Sequence, residues 1–121
     1  MKLKHEYVRS VAMVADMHVG SRFGLCPAKY ETSTGDTISH AMNTGQKQLL
    51  TYWNDYVAKM RSFNIDTVFL VGDVFAGVNF KESGLYLMTT DLNEQLEMAC
   101  ELLKPLVKNT KVCVWSGTPY H

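Results

Sequence analysis

Three short polar motifs in this chain contain residue types that bind divalent metal ions, and each follows an apolar run. They are DMH at residues 16–18, GD at 72–73 and GTPYH at 117–121. Carboxylates and imidazoles bind Mn²⁺, Fe²⁺ and Zn²⁺, whereas the cysteines form no CxxC pair that would indicate a thiolate site. Asp16 and His18 are two residues apart, so in an extended segment both side chains lie on one side. We therefore expect Asp16 and His18 to bind one metal ion.

The apolar runs before these motifs predict the strands that position them. Residues 7–15, 67–71 and 111–115 are short and largely apolar, which is typical of strands in a sheet covered on both faces. Apolar residues at spacings of three and four predict helices over about 46–63 and 91–107, and Pro105 is expected to break the last turn of the second helix. The long Gly-containing stretch over 17–45 is predicted to be a functional loop.

This alternation predicts an α/β fold of β-α-β-α-β order, with parallel strands and right-handed crossovers. The motifs then follow the carboxyl ends of their strands, which lie along one edge of the sheet, where such folds bind ligands. A carboxylate at Asp73 is placed to bridge to a second metal ion. Two metal ions roughly 3.5–4 Å apart clamp a phosphoryl group and activate water. Gly72, without a Cβ, lets the backbone turn tightly beside Asp73.

The order D-x-H, G-D and a variant of G-N-H, each after a strand, resembles the calcineurin-like metallophosphoesterase family over essentially the whole chain. The GTPYH variant, the ADMHVGSRFGLCP opening and the D-x-x-x-Q helix start at 91–95 are most similar to phage-encoded members. The resemblance implies hydrolysis of phosphate mono- or diesters by a metal-bound hydroxide, which attacks phosphorus in line without a covalent enzyme intermediate. The fold it implies is the first half of an α/β/β/α sandwich.

The resemblance also implies a role for individual residues. Asp16 and His18 bind the first of two divalent metal ions (Mn, Fe or Zn), and Asp73 bridges both. Thr118 stands where the family has an Asn that binds the second metal ion. His121 lies two positions beyond the family's His, and three roles stay open for it: acid, phosphate contact or metal ligand.

Two further residues are weaker candidates for contact with the substrate. Arg22 lies near the first motif and carries a guanidinium group that can hold a phosphate oxygen. His40 lies in the long loop, where it can reach a substrate. For both residues, an ordinary surface position is the competing interpretation.

The chain departs from the family pattern in two places. Ala76 stands where the family often has Asp or Arg, and the sequence ends at His121, before the later His-rich motif of the family. Residues 1–121 are therefore expected to form a single, incomplete domain. The uncovered sheet of a half-domain would favour self-association.

Composition favours one globular domain of the cytoplasm. The 121 residues are 46% hydrophobic, and 12 basic residues balance 12 acidic ones. A nucleic-acid substrate fits the same metal core but receives no support from this charge balance. No run approaches the roughly 18 apolar residues of a membrane span, and three unpaired cysteines indicate a reducing compartment.

Two other functions compete with a metal-dependent hydrolase of phosphate esters. The first is a non-catalytic or truncated metal-binding remnant, or an interaction module that another chain completes. The second is a nucleotide-binding α/β domain without metal chemistry. It ranks last because the first strand–helix connection has neither a G-x-G-x-x-G nor a G-x-x-x-x-G-K-[ST] loop.

Overall fold

The computed structural model describes residues 10–117 of the chain. Thr118 and His121, and the first residues of the strand predicted over 7–15, lie outside the described residues. The elements in chain order are β1 (Val11–Val14), β2 (Lys29–Glu31), β3 (Thr37–Ser39), α1 (Thr44–Ser62), β4 (Thr67–Val71), a short 3-10 helix (Phe80–Glu82), α2 (Leu92–Val107) and β5 (Lys111–Trp115).

The main sheet has three parallel strands in the order β1-β4-β5. Val68 of β4 pairs with Ala12 on one side and with Val112 on the other. Because β4 is the central strand, the segments that follow β1 and β5 both emerge beside the segment that follows β4. The prediction of an α/β fold with β-α-β-α-β order is confirmed.

Side-chain caps set the start of both helices. Asn43 Oδ1 accepts a hydrogen bond from the Gln46 amide at 2.9 Å, and Gln46 Oε1 accepts one from the Asn43 amide at 3.2 Å. This reciprocal capping box starts α1 two residues before the predicted position. Asp91 caps α2 by accepting from the Asn93 amide at 2.9 Å.

No helix within residues 10–117 is long and apolar enough to cross a membrane.

The expected break of α2 at Pro105 is wrong, because the helix continues to Val107. Leu102 and Leu106 flank the proline and are 4% and 1% exposed. Their burial holds the last turn in helical conformation against the loss of one backbone donor.

The long connection between β1 and α1 contains a hairpin that the sequence pattern did not reveal. β2 and β3 pair antiparallel, and the Thr32 amide donates to the Asp36 carbonyl at 2.8 Å across the turn. Tyr30 of β2 is 1% exposed and belongs to the core, and β2 contacts α2. The hairpin therefore packs as part of the domain and is more than a loop.

The core lies between one face of the sheet and the two helices. The sheet and the helices contribute to it the buried side chains Ala12, Val14, Val68, Leu70, Trp53, Val57, Met98, Leu102 and Leu106. The other face carries Val11, Met13, Val71 and Trp115, which are between 37% and 65% exposed. Within residues 10–117 this face of the sheet is therefore partly uncovered, although apolar runs of this kind are typical of sheets covered on both faces.

Gln95 of α2 holds the connection that follows β4. The side chain is fully buried, accepts from the Gly77 amide at 2.8 Å, and donates to the carbonyls of Gly77 and Thr89 at 3.1 and 3.0 Å. Gly20 of the first loop packs against the same side chain, because a Cβ there would lie 2.6 Å from Gln95 Cγ. One buried amide thus fixes the loops that follow both β1 and β4.

We predict that Gln95→Leu lowers the free energy of unfolding by roughly 2–3 kcal/mol, because it leaves buried backbone groups of Gly77 without partners. Urea unfolding followed by circular dichroism measures this loss. Gln48→Leu makes the same chemical change at an exposed position of α1 and should cost less than about 0.5 kcal/mol. Equal effects of the two substitutions would contradict the anchoring role of Gln95.

Candidate metal centre

Backbone hydrogen bonds join the segment after β1 to the segment after β4. The amides of Asp16, His18 and Val19 donate to the carbonyls of Gly72, Asp73 and Val74 at 3.2, 2.9 and 2.9 Å. The first two motifs are therefore held side by side at the carboxyl edge of the sheet. The predicted convergence of these two strand ends is confirmed.

Asp16, His18 and Asp73 all adopt the left-handed backbone conformation, with φ of 55°, 47° and 52°. Aspartate tolerates this region better than most residues, and such conformations cluster at functional sites. The expectation that Asp16 and His18 lie in an extended segment is therefore wrong. Their side chains nevertheless lie on the same side. The left-handed turns at Asp16 and His18 accompany this arrangement, and the alternation of an extended strand does not produce it.

The three side chains bring one ligand atom each to within 4.8 Å of the others. His18 Nε2 lies 3.8 Å from Asp16 Oδ1. Ligands bound to one ion at about 2.0–2.2 Å lie no more than about 4.4 Å apart, so a sub-ångström adjustment closes this group on a metal. The His18 and Asp16 side chains are 37% and 71% exposed, so the group is open on one side to a substrate.

Buried neighbours and a glycine orient His18. Met17 and Val19 are 5% and 0% exposed, so the residues on either side of His18 are anchored in the core. The loop then folds back, and the Leu25 amide donates to the Met17 carbonyl at 2.9 Å. Gly24 fits because a Cβ at that position would fall on the His18 carbonyl oxygen.

The third motif reaches the site through Gly117. A Cβ at this position would fall on Asp73 Oδ1 and on the Asp73 amide nitrogen. Gly72 has a φ of 77°, and a Cβ added to it would lie 3.0 Å from the Cα of the same Gly117. The tight turn predicted at Gly72 is confirmed. Gly24 and Gly117 were not among the predicted site residues, and the only sequence signal for Gly117 is the first letter of the GTPYH motif.

Arg22 and His40 lie elsewhere. They line a separate hollow of about 400 Å³ with Asn43 and Gln46, and neither lines the groove that contains Asp16 and His18. The weak prediction that they help to form the metal site gains no support from this placement. Thr118 and His121 lie outside the described residues, so their predicted roles stay predictions.

His40 belongs to a partly buried cluster around Glu94. Its ring stacks on Tyr30 at 5.6 Å between centroids, and its Nε2 lies 3.2 Å from Glu94 Oε1. The Glu94 carboxylate accepts from the hydroxyls of Thr89 and Tyr30, both at 2.6 Å. These bonds, first that from Thr89 and then that from Tyr30, hold the pKa of Glu94 below its ordinary value. The cluster ties the β2–β3 hairpin to α2.

The depressed pKa makes this cluster sensitive to acid. Since the folded state favours the Glu94 carboxylate, its contribution to stability is present above the ordinary pKa of about 4.5 and is lost as pH falls through the lower folded value. Glu94→Gln should lower the free energy of unfolding by about 1–2 kcal/mol at pH 7. The difference from the wild type should shrink below pH 4.5.

Urea unfolding at pH values between about 3 and 7 measures this difference. The control is Glu82→Gln, which changes an exposed carboxylate in the 3-10 helix. A Glu94→Gln effect that stays constant across the range would contradict the role of the carboxylate.

Another prediction concerns Gly117. Gly117→Ala should displace the Asp73 carboxylate and weaken Mn²⁺ binding by roughly 10- to 100-fold, as changes beside metal ligands do. Isothermal titration calorimetry measures the affinity. Gly45→Ala adds a methyl group in the first turn of α1, where the nearest atom is 3.3 Å away, and should leave Mn²⁺ affinity unchanged. Wild-type affinity in the Gly117 variant would refute the contact between this glycine and the site.

Comparison with known proteins does not assign this chain to a family. No family model, curated protein or solved structure matches it. The resemblance to the calcineurin-like metallophosphoesterases therefore stays a prediction from the three sequence motifs.

Proposed function

We propose that this chain is a metal-dependent phosphoesterase of the calcineurin-like type, which hydrolyses phosphate mono- or diesters at a centre of two divalent metal ions (Mn, Fe or Zn). The observation that carries the proposal is the convergence of Asp16, His18 and Asp73 within 4.8 Å, from two strand ends far apart in sequence. Two carboxylates and an imidazole are a ligand set suited to these metals.

Each of these residues has a defined task in the proposal. In this proposal Asp16 and His18 hold the first metal ion, and Asp73, on the neighbouring segment, bridges to the second ion through its other carboxylate oxygen. Metal ions bound there supply Lewis-acid charge and lower the pKa of coordinated water. The backbone bond between the His18 amide and the Asp73 carbonyl keeps the two ligand-bearing segments in register.

Electrostatics supports a metal at this position. Asp16 and Asp73 place two carboxylates in one small group, and a phosphate ester brought to them without a cation meets like charge. Bound divalent ions reverse the sign of the site and draw in the phosphate. Exposure of Asp16 leaves one side of the group accessible to the phosphoryl oxygens.

A second candidate function is a non-catalytic metal-binding module that another chain completes. Residues 10–117 bring together one group of three ligand atoms, which suffices for one ion but is a small set for two. The partly exposed sheet face, with Met13 and Trp115 at 65% and 51% exposure, would be covered in such an assembly. The number of ions bound distinguishes the two candidates.

The test is a calorimetric titration of Mn²⁺ into metal-free wild-type protein, Asp16→Asn, Asp73→Asn and the control Asp55→Asn. Asparagine keeps the side-chain shape and tolerates positive φ, so the first two substitutions remove charge with little effect on the backbone. We expect Asp16→Asn and Asp73→Asn each to weaken binding by at least roughly 100-fold. Asp55→Asn, on the exposed surface of α1, should bind as the wild type does.

Turnover is measured on the same proteins with a phosphate monoester and a diester in Mn²⁺. Two ions per chain together with hydrolysis that both site variants lose would support the phosphoesterase. One ion without hydrolysis would support the metal-binding module. Unchanged Mn²⁺-dependent hydrolysis by Asp73→Asn would contradict the bridging role of Asp73.

A further inference from the structure

A groove of about 460 Å³ opens directly beside Asp16 and His18. The end of β1 and the following loop form one side of it. We call it the aromatic groove, because its lining includes the aromatic and aliphatic residues Phe23, Leu49, Tyr52, Trp53 and Tyr56. Its volume lies within the roughly 300–1,000 Å³ that ligand pockets occupy. The groove is therefore large enough for a small organic group attached to a phosphate at the metal site.

Two rings of the groove are held rigidly. Trp53 Nε1 donates to the Leu102 carbonyl at 3.1 Å, and the Tyr56 hydroxyl donates to the Met13 carbonyl at 2.9 Å. The two rings lie 5.7 Å apart at 30° to one another. Since hydrogen bonds satisfy their polar atoms, the half-buried Tyr56 ring offers preformed aromatic surface with little ordering cost on binding, and Trp53, which is 9% exposed, lines the groove from the core.

The other groove residues are exposed beyond what the core requires. Phe23, Tyr52 and Leu49 are 72%, 61% and 40% exposed. Leu49, Tyr52, Trp53 and Tyr56 fall at helical spacings of three and four on α1, so one helix face presents them together. Phe23 reaches the groove from the loop after β1 and packs against Tyr86 at 5.5 Å. Exposed apolar surface concentrated beside a polar site is typical of ligand binding.

The charge of the groove defines which part of a ligand it accepts. The described residues that line it include no lysine or arginine. Its carboxylate and its imidazole are those of Asp16 and His18, which also belong to the metal site. A phosphate group has no cation to hold it among the aromatic residues. The anionic part of a ligand therefore belongs at the metal end, and the uncharged part belongs in the groove.

We propose that the aromatic groove binds a flat aromatic group of the phosphoester whose phosphate lies at Asp16, His18 and Asp73. This inference rests on the proposed function and narrows its substrate class. An aryl ester and a nucleobase share this chemistry, because both stack on aromatic side chains. A long polyanion is disfavoured, because the groove offers its backbone phosphates no cation.

The experiment compares phenylphosphonate with methylphosphonate, which share the phosphorus head group and resist hydrolysis. Both are titrated calorimetrically into Mn²⁺-loaded wild type, Tyr52→Ala and Phe63→Ala. Tyr52 is exposed, so its removal spares the core. Phe63 is a 56% exposed aromatic residue at the other end of α1 and serves as the matched control.

We expect wild type and Phe63→Ala to bind phenylphosphonate roughly tenfold more tightly than methylphosphonate. In Tyr52→Ala this preference should fall about threefold or more, because one stacking surface is lost. Equal binding of the two phosphonates by the wild type, or an unchanged preference in Tyr52→Ala, would overturn the aromatic groove while leaving the metal site intact.

Adenosine and benzyl alcohol, titrated into metal-free protein, separate the two sources of an aromatic group and provide a readout that needs no metal. Weakened binding of adenosine by Tyr52→Ala supports a nucleobase, and weakened binding of benzyl alcohol supports an aryl ester. If Mn²⁺ does not bind the wild type, the proposed function fails and the phosphoester assignment of the groove fails with it. If neither adenosine nor benzyl alcohol binds while Mn²⁺ binds normally, the proposal for the aromatic groove is overturned and the metal site is not.

Discussion

The backbone pairing between the loops after β1 and β4 is the constraint on which the site depends. The parallel sheet brings the two strand ends together, and the bond from the His18 amide to the Asp73 carbonyl extends that pairing beyond the strands. Further along, Val19 exchanges bonds with Val74 and Ala76, so the two segments remain joined for several residues. These main-chain hydrogen bonds hold the segments that carry the ligand side chains next to one another.

Most of the regular structure could be predicted, because long apolar periodicities determine it. The bounds of β4 and β5 agree with their apolar runs, and both helices differ from prediction by two residues or fewer at each end. The β2–β3 hairpin escaped prediction because strands of three residues are too short to show an alternating pattern. Partial exposure of the sheet was expected only from the resemblance to half of a larger fold, since an apolar run does not say which neighbours cover it.

The candidate site was predictable in its members but not in its geometry. Residue type and strand order sufficed to bring Asp16, His18 and Asp73 together. Contacts between residues distant in sequence decided the rest. The packing of the loop and the hairpin places Arg22 and His40 at another hollow and brings Phe23 of the loop to the groove beside α1. No local pattern carries that information.

The left-handed backbone at all three ligand positions has a consequence for the divergence of this fold. With φ near 50° at each of these positions, Gly, Asn, Asp and His are the residues that the backbone accepts most readily. Drift at 16 and 73 would be confined to this small set even in a descendant that had abandoned metal chemistry. Persistence of any one of these residues in distant relatives would thus report backbone conformation, and only joint retention of both aspartates with His18 would speak for a retained ion.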